Sequence, residues 1–92
     1  MPKVLIYKLI WIFVIFNTDI YENRKHIHVG KRGTKKLCKI WLKPIVSLAD
    51  PGDLTIKQQN EVLQVTLSFL PDLLKQWEIF RKGQRVKTII VK

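Results

Sequence analysis

Two histidines in the run His26-Ile27-His28-Val29 are the residues best suited to chemistry. Strict alternation with aliphatic residues predicts a β-strand, so His26 and His28 share one face and Ile27 and Val29 the other. Imidazole titrates near neutrality, binds transition metals and donates or accepts hydrogen bonds, so three chemistries compete. As a general acid and base pair, the histidines would cleave RNA. Lys25, Arg32 or Lys39 would then stabilise charge developing on phosphorus, and neighbouring cations would depress the histidine pKa values. As metal ligands, two side chains at i and i+2 on a strand project together, but two are too few. A third would come from Asp19, Glu22 or Cys38, and the surrounding positive charge opposes a cation. As structural or partner-contacting groups, they hydrogen-bond across the sheet or pack under a loop. The residues leave these alternatives open. The reading taken forward holds His26 and His28 as the candidate catalytic pair, with no metal and no cofactor.

The surroundings of the pair are basic. Glu22 to Leu42 holds seven Lys or Arg and one acid, and the whole chain has 17 Lys and Arg against 7 Asp and Glu, a net charge of +10 in 92 residues. Such an excess attracts polyanions through phosphate pairing and counterion release. The candidate contact residues for a nucleic acid or an acidic partner are Arg24, Lys25, Lys31, Arg32, Lys35, Lys36, Lys39 and Lys43. A single cysteine, Cys38, excludes an intrachain disulfide and a Cys-rich zinc site. It reads as a small buried hydrophobe in a cytoplasmic protein.

The elements that position these residues can be read along the chain. Apolar residues make up 47%, enough for one packed domain and too many for a disordered chain. Val4 to Tyr7 and Leu9 to Phe16 read as one long strand or two short ones around Lys8. The uninterrupted apolar run of eight residues is far short of the roughly 20 needed to span a membrane, and no small-residue cleavage site follows it. Asn17 to Lys25 is a polar turn region. Gly30-Lys31-Arg32-Gly33 reads as the turn of a hairpin pairing His26–Val29 with Lys36–Leu42, closed by Pro44. Ile45 to Leu48 is a further short strand candidate, and Asp50-Pro51-Gly52-Asp53 a turn. Thr55 with Gln58 forms a capping box. After it Leu63, Leu67, Leu70, Leu74 and Trp77 recur at helical spacing, with Val62, Phe69, Leu73 and Phe80 widening the stripe. Pro71 kinks this helix, or ends it near Leu70 and starts another. Trp11, Trp41 and Trp77 read as core.

Strands followed by a helix predict an α+β domain. The expected architecture is a small antiparallel sheet of three to five strands packed against one long C-terminal helix, kinked at Pro71. Residues 1–83 form the domain, and 84–92 a basic tail or edge strand.

The blocks His26-Ile27-His28-Val29, Lys39-Ile40-Trp41-Leu42-Lys43-Pro44 and Leu73-Leu74-Lys75-Gln76-Trp77, with the opening Met1-Pro2 before an aromatic-rich strand, resemble the small bacterial domain-of-unknown-function family four-one-six-zero over roughly residues 2–83. That family has no established activity. The resemblance implies a short cytoplasmic bacterial protein encoded beside a second small protein, in an arrangement like that of toxin–antitoxin pairs. Members tend to carry prolines directly before the first histidine, whereas Arg24 and Lys25 stand here, making the approach more basic and less rigid.

The functional expectation is therefore a binding module for RNA, DNA or an acidic partner such as the neighbouring small protein; the residues lean against an enzyme and leave the question open. The alternatives are a metal-independent, histidine-dependent ribonuclease and a pure interaction module. No membrane role is expected, and an exposed strand edge would allow a homodimer.

Overall fold

The apolar N-terminal run folds back on itself at Lys8 and Leu9, whose φ values of 52° and 58° are those of a type I′ turn. In this computed structural model, which describes residues 2–92 apart from the side chain of Ile20, the run thus becomes two strands, β1 (Lys3–Tyr7) and β2 (Trp11–Val14). A 3-10 turn over Asn17–Tyr21 leads to β3 (His26–Gly30), followed by β4 (Cys38–Trp41) and β5 (Ser47–Asp50). Two helices follow, α1 (Ile56–Ser68) and α2 (Leu70–Arg81), and the chain ends on β6 (Ile89–Val91). The sheet order is β5-β4-β3-β2-β1-β6. Neighbours pair antiparallel as in a meander, except that β6 joins β1 in parallel after the helical crossover.

The α+β class is as expected, with three differences in detail. The sheet has six strands rather than three to five and is mixed. The extra strand exists because the C-terminal residues are tethered. Gln76 of α2 donates from Nε2 to the carbonyls of Val4 (3.0 Å) and Lys87 (2.6 Å), and Thr88 Oγ1 donates to Lys3 O at 2.7 Å. Second, the expected single helix is two. Pro71 lies in the first turn of α2, where its missing N–H and fixed φ cost nothing. Third, the β3–β4 connection is longer than the four-residue turn expected. Asp53 Oδ2 accepts the backbone N–H groups of Lys35 and Lys36, each at 2.9 Å, drawing those residues away from the ladder, so β4 begins at Cys38.

The helices terminate by recognisable chemistry. Thr55 Oγ1 accepts from Gln58 N, and the Gln58 side chain accepts from Thr55 N at 2.9 Å, the capping box foreseen. At the end of α2, Gly83 with φ 75° donates to Phe80 O and Gln84 donates to Ile79 O, a Schellman motif.

Register assigns the two sheet faces. Leu5, Tyr7, Trp11, Phe13, Ile27, Val29, Cys38, Ile40 and Leu48 lie on one face and join Val62, Val65, Leu73 and Trp77 in the core. Leu67, on the expected stripe, is exposed. The inward line instead passes through Val62, Val65 and Thr66, whose hydroxyl is satisfied by Val62 O at 2.7 Å. The opposite face carries Ile6, Ile12, Val14, His28, Lys39 and Trp41. Among these, Ile6, Ile12, Val14 and Trp41 stand outside the core cluster. No helix among the described residues is long and apolar enough to cross a membrane.

Candidate functional site

Strand β3 divides its side chains between the two faces. Ile27 and Val29 are fully buried in the core, while the rings of His26 and His28 stand side by side, centroids 5.3 Å apart and 85° between planes. The 3-10 turn after β2 delivers Asp19 against both. Asp19 Oδ1 lies 3.1 Å from His26 Nε2, and its two oxygens lie 3.4 and 3.3 Å from His28 Nε2. The carboxylate is itself oriented by the backbone N–H of Phe16, which donates to Oδ2 at 2.7 Å.

The histidines differ in environment. His26 has no exposed surface and sits between Trp41 and Trp77, centroids 5.5 and 5.3 Å away. Its Nδ1 is 2.9 Å from the carbonyl of Arg24. A carbonyl only accepts, so Nδ1 carries the proton and, in the neutral ring, Nε2 holds a lone pair. Asp19 is close to that nitrogen but out of hydrogen-bonding alignment, and Nε2 has no hydrogen-bond partner. The His28 side chain is 16% exposed and is flanked by the Phe16 ring at 4.6 Å. Burial pushes the His28 pKa below its ordinary value despite the opposing pull of Asp19, with His26 and Lys39 adding to the lowering. The depression is the one foreseen from neighbouring charge, but desolvation is its main cause.

Cys38 faces the core, away from the histidines, and burial raises its thiol pKa to about 11. It therefore supplies no third ligand to them. Glu22 lies near the pair, 3.8 Å from His26 Nδ1, but is engaged by Lys39 Nζ at 3.3 Å.

The eight basic residues do not form one cluster. Arg24 and Lys39 flank the Trp41 ring, with Arg24 Cζ 4.2 Å and Lys39 Nζ 4.5 Å from its centroid. The Arg24 guanidinium also donates from Nε to Lys43 O at 2.8 Å. Trp41, read as core, is only partly buried and forms a ledge with these cations. At the far end of the same face, Lys31 and Arg32 line a cleft with Lys3 over a floor of Ile12 and Val14. Lys25 pairs with Glu78 at 3.1 Å and Lys36 with Asp50 at 3.4 Å, on the margins. Lys31, Arg32, Lys35 and Lys43 are exposed and make no ion pair among the described residues. Sequence reasoning missed two features. Asp19 appeared only as one of three acids or thiols within reach, and Gln76 had no signal beyond being a polar residue next to Trp77 on the apolar stripe.

No curated protein and no solved structure matches the chain. The profile of one family, described as "Domain of unknown function (DUF4160)", matches residues 10–78. That span runs from the β1–β2 turn to α2 and includes Asp19, both histidines, Trp41 and Trp77. The chain therefore belongs to the DUF4160 domain-of-unknown-function family.

Proposed function

We propose that the protein binds single-stranded nucleic acid, RNA foremost, along the sheet face opposite the helices. The observation that carries this reading is the Trp41 ledge, an aromatic ring flanked by Arg24 and Lys39 on a face not covered by the core. Bases stack on aromatic rings and on guanidinium planes, and sheet faces serve as stacking platforms for unpaired strands. The cleft formed by Lys3, Lys31 and Arg32 continues the positive charge along that face. The backbone pairing carries no sequence preference of its own. A lone buried thiol fits a reducing cytoplasm as the setting.

The test is fluorescence anisotropy of a labelled 12-nucleotide RNA titrated with protein across a salt series, in EDTA. Five phosphate contacts from Lys3, Arg24, Lys31, Arg32 and Lys39 predict a log–log salt slope of about −3.5. Trp41→Ala is expected to weaken binding by about 1–3 kcal/mol with the slope kept, because stacking and phosphate pairing are separate contributions. Undetectable binding at low salt, or a Trp41→Ala protein that binds as well as wild type, would refute the reading. An acidic partner, such as a neighbouring small protein, would then be the next ligand to assay. Cleavage of the probe in EDTA, lost in His28→Ala, would instead reveal a metal-independent nuclease.

A further inference from the structure

We infer that Asp19, His26 and His28 form a binding site for a divalent first-row transition ion, zinc foremost. The three side chains place one ligand atom each within 4.8 Å of one another. Two ligands each about 2.0–2.1 Å from one zinc ion at the tetrahedral angle are about 3.3–3.4 Å apart. The Asp19 oxygens lie 3.1, 3.3 and 3.4 Å from the two Nε2 atoms, close to that spacing.

An independent observation points to a ligand. His26 Nε2 is a fully buried nitrogen with no hydrogen-bond partner, 3.1 Å from a carboxylate oxygen it does not bond. An imidazole nitrogen lone pair 3.1 Å from a carboxylate oxygen is repelled by it unless a cation is shared by the two, and an unpartnered buried polar atom is itself costly. The outer contacts are those of a metal site. His26 is held by Nδ1–H donating to the Arg24 carbonyl, and Asp19 by the Phe16 N–H. Such contacts fix the tautomer and ring orientation and raise ligand basicity.

Local charge favours a cation in spite of the protein's overall excess. Lys39, cross-strand from His28, is paired with Glu22, and the Arg24 guanidinium is turned onto Trp41. Two imidazoles and one carboxylate suit zinc or ferrous iron, and three protein ligands leave a coordination position for water or a substrate atom. Of the two rings, His28 alone reaches solvent.

The test uses untagged protein freed of metal with a chelator and then titrated with Zn2+ by calorimetry and with Co2+ by visible absorption. One ion per chain is expected. The cobalt spectrum should show tetrahedral or five-coordinate d–d bands and no thiolate charge-transfer band, since Cys38 lies on the other face. Zinc should raise Tm. His28→Gln, at a partly exposed position, and Asp19→Asn should each weaken binding by more than the about 10–100-fold lost with an outer-shell partner, with far-UV circular dichroism confirming the fold. Cys38→Ser should bind as wild type. Absence of stoichiometric binding of either ion to the wild type overturns the inference. So does undiminished binding in a folded His28→Gln or Asp19→Asn protein, which would place the ion elsewhere on the molecule. Because the nucleic-acid assay is run in EDTA, failure of either proposal leaves the other standing.

Discussion

Replacing Gly52 by alanine should damage the molecule far more than its position in an exposed-looking Pro-Gly turn suggests. Gly52 has φ 57°, and a Cβ there would stand 2.4 Å from Lys36 O, 2.6 Å from Leu37 O and 2.7 Å from Leu37 C. All three are backbone atoms, so no side-chain rotation relieves the contact. The left-handed conformation alone costs a non-glycine residue about 1–2 kcal/mol. Forcing the two segments apart adds about 1–3 kcal/mol, as overpacking does elsewhere, and threatens the Asp53 hydrogen bonds to Lys35 and Lys36. The expected total is about 2–5 kcal/mol, a large part of the 5–15 kcal/mol typical of a domain. Gly83→Ala is the internal control. It too has positive φ, 75°, but an added Cβ meets nothing within 4 Å, so it should lose only the conformational part, about 1–2 kcal/mol. Denaturant melts of both variants by circular dichroism measure the difference. In a domain of this size each kcal/mol moves Tm by about 4–8 °C. If Gly52→Ala unfolds no more readily than Gly83→Ala, the close approach of the β5–α1 turn to the Lys36–Leu37 backbone is refuted.

Four further outcomes follow from the same structure. Lys8→Asn with Leu9→Gly supplies the residues a type I′ turn prefers, and should raise stability by about 1 kcal/mol in chemical denaturation. Gln76→Leu removes the donor shared by Val4 O and Lys87 O. It should cost about 1–3 kcal/mol and, in hydrogen exchange, release the β6 amides ahead of the rest of the sheet. The backbone N–H groups of Lys36 and Lys35 hold the Asp53 carboxyl below its ordinary pKa. Its contribution to stability is thus present above the ordinary carboxylate range and is lost as pH falls through the lowered value, an acid-side loss that Asp53→Asn should abolish in pH-dependent melts. Cys38, with its thiol pushed to about 11, should resist a thiol reagent at pH 8 in the folded state and react at once in denaturant.

Legibility of the fold in the sequence followed the range of the interactions that build each element. The Thr55–Gln58 capping box, the Gly83 helix stop and the alternation over His26–Val29 are local, and the structure repeats them. The number of strands was not local. The β1–β2 reversal occurs at Lys8-Leu9, residues with no turn preference, held by pairing of Tyr7 with Trp11 and by Lys8 N donating to Val91 O. The position of β6 depends on Gln76, ten or more residues away, and on Thr88 reaching Lys3. The start of β4 depends on Asp53, 17 residues beyond Lys36. Tertiary hydrogen bonds of this kind leave no periodic trace.

The candidate site divides along the same line. The shared face of His26 and His28 follows from strand geometry, whereas their difference in burial and the identity of the third group do not. Asp19 was one acid in a polar turn, and what singles it out is the 3-10 geometry, in which the Phe16 N–H turns its carboxylate toward β3. That contact joins the fold to the site. The residue that follows β2 and Ile15, whose side chain packs in the core, also sets the orientation of the only carboxylate among the described residues that reaches both imidazoles. A substitution loosening the β2–β3 connection should therefore disturb His26 and His28 before it disturbs the sheet. The face under the helices holds most of the core, and His26, buried at the other face, touches both Trp77 of that core and Trp41 beside the cations. An ion bound at the cluster would fix the His26 ring against Trp41, and so the ledge on which a base would stack.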